Sequence, residues 1–318
     1  MIYILIDILQ NWLDKIGLFK VYSIFDQVQF RALLAAGLSF AIVVFMGKRV
    51  IEFLKKMKIG DGGETDSELL RDHAATKANV PTMGGVLIVG AIFISTFLLA
   101  DIRINRIYLG LFTLVWLAAV GGADDWLKLT ASRRGTGRQG LYAWEKLVFQ
   151  LGIGGIVGYF GYRYGIVPDD ADSMAHVLNI PFQRSYNPTS KFPAEGLFYL
   201  TMPIFIVFST MIVAGLSNAV NITDGMDGLA SGTSGIVSFG LILLALIAGN
   251  QGAAQYLYVP YIAFTDELAV MAGAMAGACL GFLWWNCKPA QVFMGDTGSL
   301  ALGGLIGYIA VMIRQEFV

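Results

Sequence analysis

Residues 268–285 read LAVMAGAMAGACLGFLWW, a stretch of eighteen residues with no charged side chain. A helix needs about 20 mainly apolar residues to cross the hydrocarbon core of a bilayer, and slightly shorter stretches suffice. In lipid, each backbone N–H and C=O must be satisfied within the structure, and a helix achieves this within one segment. The stretch therefore predicts a membrane-spanning helix, and its alanines and glycines predict close contact with neighbouring helices.

Seven other stretches share this apolar character. The eight predicted spans are Ala32–Gly47, Gly84–Ala100, Ile107–Ala123, Leu147–Tyr162, Leu197–Leu216, Leu229–Gly249, Leu268–Trp285 and Thr297–Ile313. The chain of 318 residues is 56% hydrophobic and only 14% charged, whereas soluble domains are about one quarter charged. We therefore expect an all-α, polytopic membrane helical bundle that forms a single domain over residues 1–318. The apolar residues 1–30 also carry scattered charges, and they predict an amphipathic segment at the membrane surface.

The remaining charges are divided unequally between the two faces of the predicted bundle. Eight spans place the connections 48–83, 124–146, 217–228 and 286–296 on one face, and these contain 13 of the 22 Lys and Arg residues. Basic residues are enriched in cytoplasmic connections, so this face is predicted to be cytoplasmic. The formal net charge of −1 argues against a nucleic-acid partner.

Three motifs with carboxylates fall on this same face. They are GGADDWLK at 121–128, NAVNITDGMDG at 218–228 and VFMGDTGS at 292–299. Mg²⁺ prefers a few carboxylates together with phosphate oxygens, so Asp124 and Asp296 are candidate metal ligands. Asp124, Asp125 and Asp296 are the candidate catalytic residues, and Lys128 could offset their charge or hold a phosphate. The alternative for the acidic pair is a solvated helix end.

The other candidates have structural alternatives as well. The density of Asn, Asp and Gly in 218–228 predicts a site for a polar ligand such as a nucleotide-sugar, although these residues also suit a turn. Phe293 could stack on a flat base or anchor the chain at the membrane interface. Thr82, which follows Lys77 and precedes two glycines, could simply cap a helix.

Taken together, four stretches resemble one family of membrane enzymes. The stretches 81–85, 123–128, 218–230 and 292–304 are similar to the polyprenyl-phosphate N-acetylhexosamine-1-phosphate transferases, and within them to the phospho-N-acetylmuramoyl-pentapeptide transferases. The resemblance implies Mg²⁺-dependent transfer from UDP-MurNAc-pentapeptide to undecaprenyl phosphate, giving lipid I and UMP for peptidoglycan synthesis. It also implies a homodimer in the bacterial inner membrane, with the active site facing the cytoplasm.

The resemblance assigns roles by position. Asp296 matches the magnesium ligand, and Asp124 and Asp125 match an acidic pair, one of which removes a proton from the lipid phosphate. Our hypothesis is that Asp125 removes this proton or orients the phosphate, while Asp124 supports the metal or the phosphates. The nucleotide-sugar site is matched by Lys77, Thr82, Lys128, Asn218, Asn221, Asp224, Gly225 and Asp227, with Phe293 on the uracil.

The chain also departs from the family pattern. Residues 78–80 read ANV, where the family has a basic-Gly-Thr lead into its Pro-Thr pair. Family members have ten spans and a His-rich loop between the last two, so the chain is expected to be a fragment. A GlcNAc-1-phosphate transferase, a membrane transporter and an inactive truncated homologue are the alternative functions.

Overall fold

The elements of regular secondary structure in the described residues are all helices. The computed structural model describes residues 23–56, 80–134, 140–166, 173–188 and 191–317, with a few positions before residue 23. The helices are α1 (Val28–Lys56), α2 (Gly85–Leu99), α3 (Asn105–Arg134), α4 (Ala143–Tyr164), α5 (Met202–Thr223), α6 (Leu229–Ala248), α7 (Gln251–Leu257), α8 (Leu268–Asn286) and α9 (Gly295–Met312). Most of the predicted amphipathic segment 1–30 lies outside the described residues.

The helices have the character of membrane spans, which confirms the predicted polytopic bundle. Within the described part of the chain, α1, α3, α5, α6, α8 and α9 are long and apolar enough to cross a membrane. Helix α2 is apolar but has 15 residues, and α4 has 22 residues with charged side chains in both end turns. Each of the eight predicted spans lies largely within one of these helices.

Two helices extend well beyond the predicted spans toward the motif-bearing face. Helix α3 continues past Ala123 to Arg134, so Asp124 and Asp125 lie within a helix and not at its end. Helix α5 continues past Leu216 to Thr223, so Asn218 and Asn221 belong to its last turns and not to a connection. The prediction stopped where the apolar residues stop, whereas the backbone continues as a helix with polar side chains that pack against other helices.

Helix α9 lies at the centre of the bundle. Every residue from Thr297 to Met312 is buried, and the helix packs against α2, α3 and α5. Helix α8 packs against α1 through glycines spaced four residues apart. A Cβ on Gly273 or Gly277 would lie 2.3 or 1.9 Å from a carbonyl oxygen of α1, which shows how closely the two backbones approach.

The segment before α2 is joined to the segment before α9 by backbone hydrogen bonds. The N–H groups of Gly84 and Gly85 donate to the carbonyls of Phe293 and Met294, each at 2.8 Å, and the N–H of Phe293 donates to Pro81 O at 2.9 Å. These bonds bring two of the sequence motifs together, although they are more than 200 residues apart in the chain.

Replacement of Gly85 with alanine is expected to destabilise the fold, because the added Cβ would lie 2.1 Å from the backbone nitrogen of Gly298. Overpacking of this kind costs about 1–3 kcal/mol. Gly90 in the same helix is the matched control, since no atom outside its own helix lies within 4 Å of a Cβ built there. Thermal unfolding in detergent should therefore show a lower Tm for Gly85→Ala and no loss for Gly90→Ala; equal Tm values would contradict the packing described.

Candidate active site

Three carboxylates meet where α3 crosses the beginning of α9. The candidate ligand oxygens of Asp124, Asp125 and Asp296 all lie within 4.8 Å of one another. The crossing is close because α3 has Gly121 at the contact, where a Cβ would lie 2.1 Å from Asp296 O. Asp124 is fully buried and Asp125 is only 5% exposed. Buried carboxylates require compensation by cations or hydrogen bonds.

Two lysines supply part of that compensation. Asp124 Oδ2 lies 2.7 Å from Lys128 Nζ and 2.8 Å from Lys146 Nζ. Both ammonium groups also contact Asp296 Oδ2, Lys128 at 3.3 Å and Lys146 more closely. Asp124 and Asp296 thus share two ammonium groups, and Asp125 adds a third carboxylate within 4.8 Å that no lysine in the described part of the chain contacts.

Asp125 has a different environment from its neighbour. Its Oδ1 accepts a hydrogen bond from the backbone N–H of Asp296 at 3.1 Å, and its Oδ2 accepts from Thr297 N–H at 2.9 Å and from Thr297 Oγ1 at 2.6 Å. The first backbone N–H groups of a helix have no partner within the helix. Asp125 therefore caps the N-terminus of α9 from the side of α3.

Helix α5 contributes the next groups through one face of its last turns. The Asn221 amide donates to Asp296 Oδ1 and to Ser299 Oγ, each at 2.9 Å. Asp224, the residue after α5, lies near the start of α9, where the backbone N–H of Gly295 favours its ionised form and acts to lower its pKa. Burial raises the pKa of Asp224 to about 7, and the nearby carboxylates of Asp296 and Asp125 act in the same direction.

The turn between α5 and α6 is held to the same region by Asn286. Gly228 N–H donates to Asn286 Oδ1 at 2.9 Å, and the Asn286 amide donates to Val292 O at 2.9 Å. The amide thereby joins the turn that carries Asp227 to the segment that carries Phe293. Gly225 is exposed, and Asp227 and Phe293 are half-buried, so a ligand could reach this region.

The other predicted substrate-binding residues differ in their placement. Thr82 is half-buried in the segment that pairs with Phe293. Asn218 uses both amide hydrogens within the protein, donating to Gln150 Oε1 and to Ala214 O at 2.9 Å each. Lys77 lies outside the described residues.

Several contributors to the site were not predicted from sequence. They are Lys146, Gln150, Asn286, Thr297 and Ser299. The sequence does hold a signal for Lys146, because it is the last basic residue of the second predicted cytoplasmic connection, directly before an apolar span. The others are small or amide side chains whose partners lie on distant parts of the chain.

The carboxylate cluster fits a divalent cation. Asp124 Oδ2 is buried and receives no hydrogen bond of suitable angle, although two lysine nitrogens lie within ion-pair distance. Carboxylate oxygens are hard ligands of the kind that Mg²⁺ and Ca²⁺ prefer. The cluster of Asp124, Asp125 and Asp296 is therefore an acidic site that could bind a metal.

Comparison with known proteins agrees with the motifs. Residues 107–314 match the model of glycosyl transferase family 4, and residues 77–89 match phospho-N-acetylmuramoyl-pentapeptide-transferase signature 1. Three relatives named phospho-N-acetylmuramoyl-pentapeptide-transferase are similar over most of this chain. The protein of Desulfotalea psychrophila is 39% identical over 305 residues, which cover 94% of this chain and 77% of the relative.

The other two relatives come from Chlorobaculum. The protein of Chlorobaculum parvum is 38% identical over 93% of this chain and 74% of its own length, and that of Chlorobaculum tepidum is 36% identical over the same shares. The resemblance predicted from the motifs is thereby confirmed, as is the expectation of a multi-pass membrane enzyme. The chain belongs to the phospho-N-acetylmuramoyl-pentapeptide-transferase family of phospho-sugar transferases.

Proposed function

We propose that the protein transfers phospho-N-acetylmuramoyl-pentapeptide from UDP-MurNAc-pentapeptide to undecaprenyl phosphate, giving lipid I and UMP. The observation that carries this proposal is the buried cluster of carboxylates and lysines at one end of a membrane bundle. A polar phosphate donor and a lipid acceptor can meet there, at the border between water and lipid. Family membership and the names of the relatives support phospho-N-acetylmuramoyl-pentapeptide as the group transferred.

The cation proposed for the site is Mg²⁺, held by Asp296 and Asp124. When bound, it supplies Lewis-acid stabilisation of the charge on the pyrophosphate oxygens. Lys128 and Lys146 already contact both carboxylates, and their ammonium groups would also donate hydrogen bonds to the pyrophosphate oxygens. This arrangement stabilises the developing negative charge, which is the main requirement in phosphoryl transfer.

The transfer itself exchanges one phosphoanhydride bond for another. An oxygen of the lipid phosphate attacks the sugar-bound phosphorus, and the bond from that phosphorus to the oxygen of UMP breaks. The lipid phosphate must lose any remaining proton before or during attack. Asp124 is better placed than Asp125 to accept it, because Asp124 Oδ2 faces the lysines that also contact Asp296, whereas both oxygens of Asp125 accept hydrogen bonds from α9.

The donor is proposed to bind across α5, the α5–α6 turn and the segment before α9. The residues proposed to contact it are Lys77, Thr82, Lys128, Asn218, Asn221, Asp224, Gly225, Asp227 and Phe293. Phe293, half-buried beside Thr82, would stack on the uracil. Asn218 would contribute its carbonyl oxygen, since both of its amide hydrogens are used within the protein.

The proposed location is the bacterial inner membrane, with the cluster facing the cytoplasm, and the proposed assembly is a homodimer. The distribution of Lys and Arg supports this orientation. The donor is a charged nucleotide-sugar that cannot cross lipid unaided, so a cytoplasmic site would also give it direct access.

The function is tested by supplying alternative donors to the purified chain in vesicles that contain undecaprenyl phosphate. UDP-MurNAc-pentapeptide with Mg²⁺ should release UMP, and UDP-GlcNAc should release at least about tenfold less, as for a site that binds polar substrate groups. Chelation of the metal should stop the release. Preference for UDP-GlcNAc would identify the GlcNAc-1-phosphate branch, and no release from either donor would support an inactive homologue.

A further inference from the structure

We propose that Asp125 is a positioning residue, whose carboxylate holds the first turn of α9 against α3 and so places Asp296 beside Asp124. This inference rests on the proposed function in one respect, namely that Asp296 binds the catalytic cation. It replaces the sequence-based hypothesis that Asp125 removes a proton from the lipid phosphate. The conclusion comes from the contacts of the two neighbouring carboxylates.

Both oxygens of Asp125 are already occupied by donors from α9. Three hydrogen bonds of 2.6 to 3.1 Å reach them, two from backbone N–H groups and one from the Thr297 hydroxyl. A general base needs an oxygen within hydrogen-bond reach of the proton that it takes. Three of the roughly four acceptor sites of the Asp125 carboxylate are used by α9, so Asp125 is less available than Asp124 to take a proton.

Asp124 has the complementary arrangement. Its Oδ1 accepts one backbone hydrogen bond, from Leu141 at 2.7 Å, and its Oδ2 faces the two lysines that also contact Asp296. Of the two adjacent aspartates, Asp124 is therefore the one whose carboxylate faces the proposed reaction site. Adjacent residues on a helix point about 100° apart, which lets one carboxylate face the site while the other binds the neighbouring helix.

Helix α9 requires a cap from another element. Its N-cap position is Met294, and no side chain there accepts a hydrogen bond from the first turn. A carboxylate near a helix N-terminus also interacts favourably with the helix dipole. The three donors are the N–H of Asp296 itself and the N–H and hydroxyl of Thr297, the next residue, so the cap restricts the position of Asp296 directly.

The test measures metal binding in the absence of both substrates. Mn²⁺ is titrated into the purified full chain, and free Mn²⁺ is followed by electron paramagnetic resonance. Asp125→Asn places an amide group against the donors of α9 and is expected to weaken Mn²⁺ binding at least tenfold. Thr297→Val removes one hydrogen bond without touching a proposed ligand, and a threefold or greater loss is expected. Thr297→Ser keeps the hydroxyl and should bind as the unmodified protein does.

The double variant completes the test. Asp125→Asn with Thr297→Val should bind Mn²⁺ more tightly than the product of the single losses predicts, because both changes disrupt one cap. Unchanged Mn²⁺ affinity in Asp125→Asn would overturn the proposal, as would a loss in Asp125→Asn with none in Thr297→Val, which would make Asp125 a direct ligand. If instead the proposed function is wrong, the protein should prefer a different donor, while the Mn²⁺ affinities of the variants still follow the expected pattern.

Discussion

Replacement of Asp296 with asparagine is expected to lower kcat about 1000-fold, because the variant removes a charged oxygen from the point where both lysines and the proposed cation meet. Loss of one pre-organised electrostatic group at a transition state commonly costs a factor of 100 to 1000. Asp296 is the contact shared by Lys128, Lys146 and Asn221, so its loss affects the whole cluster. The measurement is Mg²⁺-dependent UMP release at saturating donor.

Asp101→Asn is the matched control for this experiment. Asp101 follows α2 at the opposite end of the bundle, where its carboxylate accepts hydrogen bonds from Arg103. The Arg103 guanidinium and backbone N–H hold the pKa of Asp101 below its usual value, against the effect of partial burial. Turnover should be near that of the unmodified protein. A small effect of Asp296→Asn, or an equal effect of Asp101→Asn, would contradict the assignment of the site.

Replacement of Lys146 with methionine is expected to lower kcat/KM about 100-fold. The methionine has similar length but leaves Asp296 without its closest cation and Asp124 with one of its two. Removal of one member of a buried charge pair typically costs about 2–5 kcal/mol, and 100-fold corresponds to about 2.7 kcal/mol. Lys146 was not among the residues predicted from sequence, so this variant tests what the structure adds.

Lys128→Met is the comparison variant for Lys146→Met, and Mn²⁺ binding is measured for both variants in addition to turnover. The Lys128 side chain is 46% exposed against 18% for Lys146, so water compensates more of its loss and a smaller effect on turnover is expected. Neither variant should weaken Mn²⁺ binding, since an ammonium group repels a neighbouring cation. Weaker Mn²⁺ binding in Lys146→Met would contradict this division between metal ligands and charge-balancing lysines.

The sequence was sufficient to predict the bundle and the face on which the motifs meet. Continuous apolar stretches such as 268–285 are specific because lipid imposes a minimum length on a spanning helix. The alternation of spans then brought Asp124, Asp224 and Asp296 to one face without any knowledge of their contacts. The structure places all three around the beginning of α9.

Contacts between distant residues could not be predicted in the same way. The apolar pattern of α5 ends at Leu216, and nothing local shows that Asn218 turns toward Gln150 while Asn221 turns toward Asp296. The same holds for Asp125, because two adjacent aspartates do not show by themselves which one faces the site and which one binds a neighbouring helix. Only the crossing of α3 and α9 distinguishes them, and Gly121 determines that crossing through its close approach to Asp296.

We propose that Asp124 and Asp296 together bind the divalent cation of this membrane phospho-sugar transferase. Titration of Mn²⁺ into the purified chain, its Asp124→Asn and Asp296→Asn variants and the Asp101→Asn control tests this directly. We expect one tightly bound Mn²⁺ per chain that both site variants lose and the control retains. Unchanged Mn²⁺ binding in either site variant would contradict it.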